Sequence, residues 1–237
     1  MILDGEVLGL VTARGGSKRL PRKNLKYLND KPLVSWSIDA GLGSKYIDSV
    51  VVSTDDKEIA DVSLKYGADV PFIRPARLSS DEASSIDVVM HAISALHKRG
   101  FNYKYVVILQ PTSPLRTSIH IDEAIELFLD KGADGVIGVS EVDHPVEWIN
   151  TLPYDLSMDG FIPDKDLGKR SQDFSKKYRI NGAIYILSID RVLRENKLVF
   201  PTNCYAYIMS QNKSIDIDTE YDFMIADLIL KLDNRCI

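Results

Sequence analysis

The chain has 237 residues, 45% of them hydrophobic and 27% charged, and its 29 Lys and Arg against 34 Asp and Glu give a net charge of −5. That balance describes a globular protein large enough to bury a substantial core. It argues against broad nucleic-acid binding, which needs a basic surface, while leaving room for a local basic pocket.

Short β-rich runs alternate with helical patterns along the chain. Val7 to Thr12 predicts the first strand, and Pro32 to Leu42 a helix with Pro32 near its first turn. Asp48 to Thr54 is a β-branched run, followed by Asp55 and Asp56 as candidate caps of a helix ending at Gly67. Val70 to Ile73 predicts a short third strand and Ser84 to Arg99 a helix. Tyr105 to Leu109 is the clearest buried strand, Ile119 to Lys131 a helix, and Gly135 to Val139 another strand. Asn181 to Leu187 and Cys204 to Met209 are β-rich, and Thr219 to Leu232 predicts a closing helix capped by Thr219 or Asp218.

Strand–helix alternation of this kind implies right-handed crossovers and a mostly parallel sheet covered on both faces, an α/β fold. The alternation breaks between about Val142 and Tyr178. Trp148, Tyr154 and Phe161 give that stretch apolar material, so it reads as a small inserted subdomain, 142–178, within an α/β domain made of 1–141 and 179–237. Two cysteines, Cys204 and Cys236, exclude a disulfide framework, and His91, His97, His120 and His144 show no metal-ligand spacing. No apolar run approaches the roughly 18–20 residues that span a membrane. The first residues, Met1 to Glu6, have neither a basic start nor an apolar h-region. A cytoplasmic protein without a membrane or nucleic-acid partner is expected.

Four segments carry chemistry. Ala13 to Asn24 (ARGGSKRLPRKN) follows the first strand and holds five cations in ten positions, Arg14, Lys18, Arg19, Arg22 and Lys23, beside Gly15 and Gly16. At the carboxyl end of a strand in an open α/β sheet, such a loop suits a polyphosphate. It lacks the Walker A spacing. A solvated basic loop is the plain alternative. Ser53-Thr54-Asp55-Asp56 is explained by helix capping. Gln110 to Arg116 (QPTSPLR) offers neutral hydrogen-bonding groups on a loop stiffened by two prolines, suited to a base or sugar or simply to a turn. Asp216 and Asp218 are two apart, so in an extended segment they share a face and could hold Mg²⁺ against phosphate oxygens, or could lie on an exposed strand face.

Taken with the Arg74–Ser85 stretch (RPARLSSDEASS) and Arg179–Ile186 (RINGAIYI), these segments fall in an order that resembles the acylneuraminate cytidylyltransferases, or CMP-sialic acid synthetases, over nearly the whole chain. The resemblance implies a Rossmann-like nucleotidyltransferase fold that joins CTP to a nine-carbon 2-keto acid sugar, giving the CMP-sugar and pyrophosphate. By that resemblance Arg14, Lys18 and Lys23 hold the CTP phosphates within a loop that includes Gly15 and Ser17. Asn24, Arg74, Ser85 and the backbone of Ala13 surround the cytidine. Gln110, Arg179, Asn181 and Tyr185 line the acid-sugar side, and Asp216 and Asp218 bind Mg²⁺. The insertion corresponds to a dimerisation subdomain that reaches the partner's active site through a basic residue, here Arg170.

Three departures bear on which acid sugar is used: Arg19 stands where many members have glycine, Arg22 adds charge, and His144-Pro145 keeps one histidine where some have two. The alternatives are legionaminate, pseudaminate or the eight-carbon Kdo in the same reaction. A glycosyltransferase with a D-x-D pair would lack the basic loop. A non-catalytic sugar-nucleotide sensor would have lost the carboxylate pair or a loop lysine.

Overall fold

The computed structural model describes residues 4–200 and 202–233, so Cys236 lies outside the described residues. Six strands form one sheet: β1 (Val7–Thr12), β4 (Ser49–Ser53), β5 (Tyr105–Leu109), β6 (Gly135–Glu141), β7 (Tyr178–Ser188) and β8 (Cys204–Ile208). Their order is β4-β1-β5-β7-β6-β8. All neighbours run parallel except at β7, which is antiparallel to both β5 and β6. The expected mostly parallel sheet is therefore present, with one reversed strand.

Period-2 alternation along the strands divides the core between the two faces. Val7, Val11, Val50, Val52, Val107 and Leu109 point to one face, where they meet α1 (Leu33–Leu42), α2 (Lys57–Lys65) and α4 (Ser118–Lys131). Leu8, Leu10, Val51, Val106 and Ile108 point to the other, against α3 (Ser85–His97) and α5 (Ile189–Glu195). Each fully buried aliphatic side chain contributes about 1.5–3 kcal/mol, so the strands need no further explanation.

A third cluster lies apart from the sheet and matters more for the site. Leu20, Leu115 and Ile217, one from each of three candidate loops, pack with Leu28 and Leu33 and with Phe223, Ala226 and Leu230 of α6 (Glu220–Asp233). The hairpin of β2 (Tyr27–Leu28) and β3 (Lys31–Pro32) lies against the same helix. Buried Ile217 thus anchors the segment carrying Asp216 and Asp218. Replacing it with alanine would cost about 2–5 kcal/mol.

Two local expectations change. Val70 to Ile73 forms no strand, only single bridges from Asp69 to Val51 and from Ile73 to Thr54. Pro71 lies inside that run and has no N–H to give a ladder. The segment around Asp216 belongs to no strand. The 142–177 stretch contains only short 3₁₀ turns, and it joins two strands that pair with each other up to Glu141 and Tyr178.

Candidate active site

Strand order reverses at β1, which has β4 on one side and β5 on the other. In open α/β sheets the crevice at such a point, beyond the carboxyl ends of the strands, is where ligands bind. A cavity of about 510 Å³ opens there, lined by Thr12 at the end of β1 and by Gln110, Pro111 and Thr112 after β5. Of the residues expected from sequence, Arg14, Ser17, Lys23, Asn24, Arg74, Ser85, Gln110 and Tyr185 line it.

The basic loop is built onto the sheet. Ala13 N–H donates to the Ser53 carbonyl at 3.0 Å, and Asn24 Nδ2 donates to the Arg14 carbonyl at 2.9 Å, closing the loop on itself. Gly15 N–H donates to Asp55 Oδ1 at 3.0 Å, and a β-carbon on Gly15 would meet Asp56 Oδ2 at 2.7 Å. Asp56 caps α2, accepting from Ile59 N–H. Capping thus accounts for Asp56, whereas Asp55 braces the glycine turn and faces Arg74 at 3.7 Å.

Two buried groups are left with unmet hydrogen-bonding capacity at this cavity. Arg74 is 4% exposed, and its Nε and Nη2 have no hydrogen-bond partner among the described residues. Burial lowers its pKa, partly offset by Asp55. Asn24 Oδ1 is likewise buried without a donor. Unmet buried donors and acceptors at a cavity mark a place where a polar ligand would bind.

The cations already have carboxylate partners. Arg14 and Lys18 both pair with Asp81, at 2.9 and 2.5 Å, and Asp81 also lines the cavity. Lys23 Nζ donates to the Ile217 carbonyl at 2.5 Å and meets Asp218 Oδ1 at 3.2 Å, while Arg19 meets Asp218 Oδ2 at 3.0 Å. Asp81 was not singled out from sequence. The signal for it was its place in the RPARLSSDEASS stretch, downstream of the loop it neutralises.

Asp216 adjoins the cavity through its neighbours. Burial raises its pKa, Asp218 adds to the rise, and Thr112, Lys23 and Arg179 oppose it. Tyr185 on the cavity wall is raised by burial and by the Asp216 charge. Asp216 Oδ1 is buried without a donor among the described residues. Asp218 does not cap α6, because Thr219 Oγ1 accepts from Asp222 N–H while Asp222 accepts from Thr219 N–H. Both carboxylates are therefore free of a capping role. Among the described residues no group of three or more His, Cys, Asp or Glu could hold a metal, so an ion here would need oxygens from a ligand. With phosphate oxygens supplied, a buried undonated carboxylate oxygen beside a second carboxylate fits Mg²⁺.

Three expected residues sit differently. Asn181 is buried, its Nδ2 donating to Ser214 Oγ at 3.0 Å and its Oδ1 accepting from Ala183 N–H at 3.1 Å, so it shapes the wall instead of facing the cavity. Arg179 donates to the Ser214 carbonyl at 3.3 Å, next to the Asp216 segment. Arg170 is exposed in the 142–177 stretch and is not among the residues lining the cavity.

Residues 8–159 match a family described as cytidylyltransferase. A pseudaminic acid cytidylyltransferase of Campylobacter jejuni is 36% identical over 96% of this chain and 97% of its own length. An N-acylneuraminate cytidylyltransferase of Escherichia coli is 37% identical over 97% of this chain and 53% of its own. A CMP-N,N'-diacetyllegionaminic acid synthase of Legionella pneumophila is 32% identical over 98% and 99%. The solved structure of a CMP:2-keto-3-deoxy-manno-octonic acid synthetase complexed with CTP superposes with a TM-score of 0.71 at 15% identity, covering 96% of this chain and 99% of that one. At that identity the likeness shows the fold alone.

Proposed function

The chain belongs to the cytidylyltransferase family, and from that premise we propose that it transfers CMP from CTP to the anomeric hydroxyl of a nonulosonic acid, releasing pyrophosphate. One observation carries the proposal. A single cavity brings together the cationic loop, the Arg74 and Asn24 atoms that lack hydrogen-bond partners among the described residues, and the neutral Gln110 and Tyr185.

In this proposal Arg14, Lys18 and Lys23 take the triphosphate, exchanging Asp81 and Asp218 for phosphate oxygens. Arg74, Asn24, Ser85 and the Ala13 backbone hold the cytidine, the Asn24 acceptor suiting an amino or hydroxyl donor. Gln110, Tyr185 and Arg179 take the acid sugar. The sugar oxygen bonds to the α-phosphorus as the bond from that phosphorus to the pyrophosphate oxygen breaks. The hydroxyl proton leaves to a carboxylate of the Asp216/Asp218 pair or to water. Such a reaction depends mainly on positioning and on offsetting negative charge. Asp216 and Asp218 would hold Mg²⁺, which when bound supplies further charge neutralisation.

The acceptor is of the sialic type. Likeness to the Campylobacter protein over almost the full length of both chains makes pseudaminate the first alternative to N-acylneuraminate. The proposal includes a homodimer formed through 142–178, with Arg170 reaching the partner's cavity, and action in the cytoplasm, where CTP is made; no described helix is long and apolar enough to cross a membrane. Pyrophosphate release should be measured from CTP and from UTP with N-acetylneuraminate, pseudaminate, legionaminate and Kdo, with and without Mg²⁺. Release with CTP and at least one nine-carbon acid is expected. A folded sample inactive with all four acids would refute the proposal.

A further inference from the structure

Arg116 closes the QPTSPLR loop and is 1% exposed. Among the described residues no carboxylate pairs with it, and its Nε and Nη2 find no partner. Burial lowers its pKa to about 9, which still leaves it charged at neutral pH. An unpaired charge in a core is costly, and an aliphatic side chain of similar length would avoid the cost. The arginine must therefore be held for something that an aliphatic residue would not provide.

Its hydrogen bonds indicate what that is. Nη1 lies 3.4 Å from the Gln110 carbonyl, 3.2 Å from the Ser113 carbonyl and 3.4 Å from the Ala183 carbonyl. The first two belong to a loop in which Pro111 and Pro114 rule out regular pairing. The third belongs to β7, where the register against β6 shifts between Ile137 and Val139 and leaves the ladder interrupted. One cation therefore ties two irregular backbones together where neither has a strand partner.

The two backbones meet again at the cavity wall. Gly182 has φ +75°, and a β-carbon there would meet Gln110 Oε1 at 2.8 Å, so the Gln110 carboxamide rests on the bare α-carbon of the glycine. Ser37 Oγ and Ser113 N–H also hold the Gln110 carbonyl, each at 3.2 Å. Neither of those two bonds reaches β7, and the Ser113 hydroxyl reaches it only at 3.5 Å from the Asn181 carbonyl, the limit of hydrogen-bond range.

We propose that Arg116 is a positioning residue for the acceptor half of the reaction: by clamping Gln110 and Ser113 to Ala183, it fixes the Gln110 carboxamide over Gly182 where the acid sugar binds. The proposal rests on the function assigned above to the cavity. Arg116 acts through Gln110 and touches neither CTP nor the reacting atoms.

Two measurements test this separately from the function. In the ligand-free protein, amide hydrogen exchange should rise across 110–116 and 181–185 in Arg116→Lys and stay unchanged across 13–24. Unchanged exchange at 110–116 and 181–185 removes the clamp, whatever the enzyme's substrate proves to be. In turnover with the acid that the panel identifies, Arg116→Lys and Arg116→Met should raise the KM for the acid about tenfold, the scale of one misplaced hydrogen bond. CTP affinity by calorimetry should change by less than about twofold. On a Gln110→Ala background the same substitutions should add almost nothing, because residues that act as a unit are not additive. Equal weakening toward both substrates, or full additivity with Gln110→Ala, overturns the proposal. If Arg116→Met does not fold, Arg116→Lys decides. A wild-type protein inactive with every acid, with the exchange change still seen in Arg116→Lys, would count against the assigned function and leave the clamp standing.

Discussion

The Asp81 carboxylate is ion-paired to the Arg14 guanidinium at 2.9 Å, and the same carboxylate reaches Lys18 at 2.5 Å. Two cations proposed for the CTP phosphates thus share one internal anion. These ion pairs, Lys18's first and then Arg14's, hold the Asp81 carboxyl below its ordinary value. Its side chain is 44% exposed, so the pairs are screened and easily exchanged. Asp81→Asn should therefore tighten CTP binding by about two- to fivefold, the modest size expected for exposed pairs. Calorimetric titration with CTP measures it. Weaker binding in the variant would mean that Asp81 holds the two cations in place for the phosphates instead of competing with them.

Asp216 tests the metal assignment. Its raised pKa means that the ionised carboxylate costs stability at neutral pH, and that this cost is relieved as pH falls through its folded-state value toward 3.8. Asp216→Asn removes the charge at constant size. The melting temperature should hold or rise, while turnover should fall roughly 10²–10³-fold, as when one preorganised electrostatic group is lost. Turnover at wild-type level under limiting Mg²⁺ would remove the pair from metal binding. Lys23→Ala is a poorer probe of the phosphate site, since Lys23 also holds the Ile217 carbonyl and its loss should lower melting temperature and turnover together.

Much of this site was legible because local pattern decided it. Near-continuous apolar runs in Val7–Thr12 and Tyr105–Leu109 marked them as buried strands, and the loops after them border the crevice. The hairpin at Tyr27–Leu28 and Lys31–Pro32 was not legible, because two-residue strands are too short to show a period. The seven-residue helix Ile189–Glu195 failed for the same reason. Asp81 and Arg116 were missed on other grounds. Each has its role through a partner that the crossovers bring near, Lys18 for the one and Ala183 for the other, and neither partner is close along the chain.

The 142–177 stretch gives the oligomer its test. Trp148 packs edge-on against Phe174 within the stretch, ring centroids 5.8 Å apart, so it anchors the loop to itself. Ile149, Tyr154 and Leu156 are instead largely exposed, with Tyr154 wholly so. Aromatic and aliphatic side chains left bare together are suited to an interface core. Light scattering should give about twice the 26.6 kDa chain mass. Tyr154→Ser with Leu156→Ser should shift the protein toward monomer and, if Arg170 crosses to the partner, lower turnover with it. A wild-type monomer with full activity would end the dimer proposal.

The last prediction concerns pH and a helix cap. His120 Nδ1 accepts from Thr117 N–H at 3.0 Å and lies 3.0 Å from Thr117 Oγ1, closing the capping box at the start of α4. A neutral ring that accepts at Nδ1 carries its proton on Nε2. Burial lowers the His120 pKa below 6.5, Lys213 and Arg116 add to the fall, and Glu123 opposes it. The unfolded chain therefore binds this proton more readily than the folded one. By linkage the contribution is fully present above pH 6.5 and is lost as pH falls through 6.5 toward the folded value. His91 is shifted the same way, first by burial and then by Arg77, Arg74 and Lys98, so a pH slope will remain without His120. His120→Gln keeps an acceptor for Thr117 N–H and cannot titrate. Between about pH 7.5 and 5.5, bracketing the ordinary histidine range, the wild-type melting temperature should fall further than that of His120→Gln. The difference should be about 2–4 °C if the cap contributes about 1 kcal/mol. Parallel slopes for the two proteins would show that protonating His120 does not open the cap.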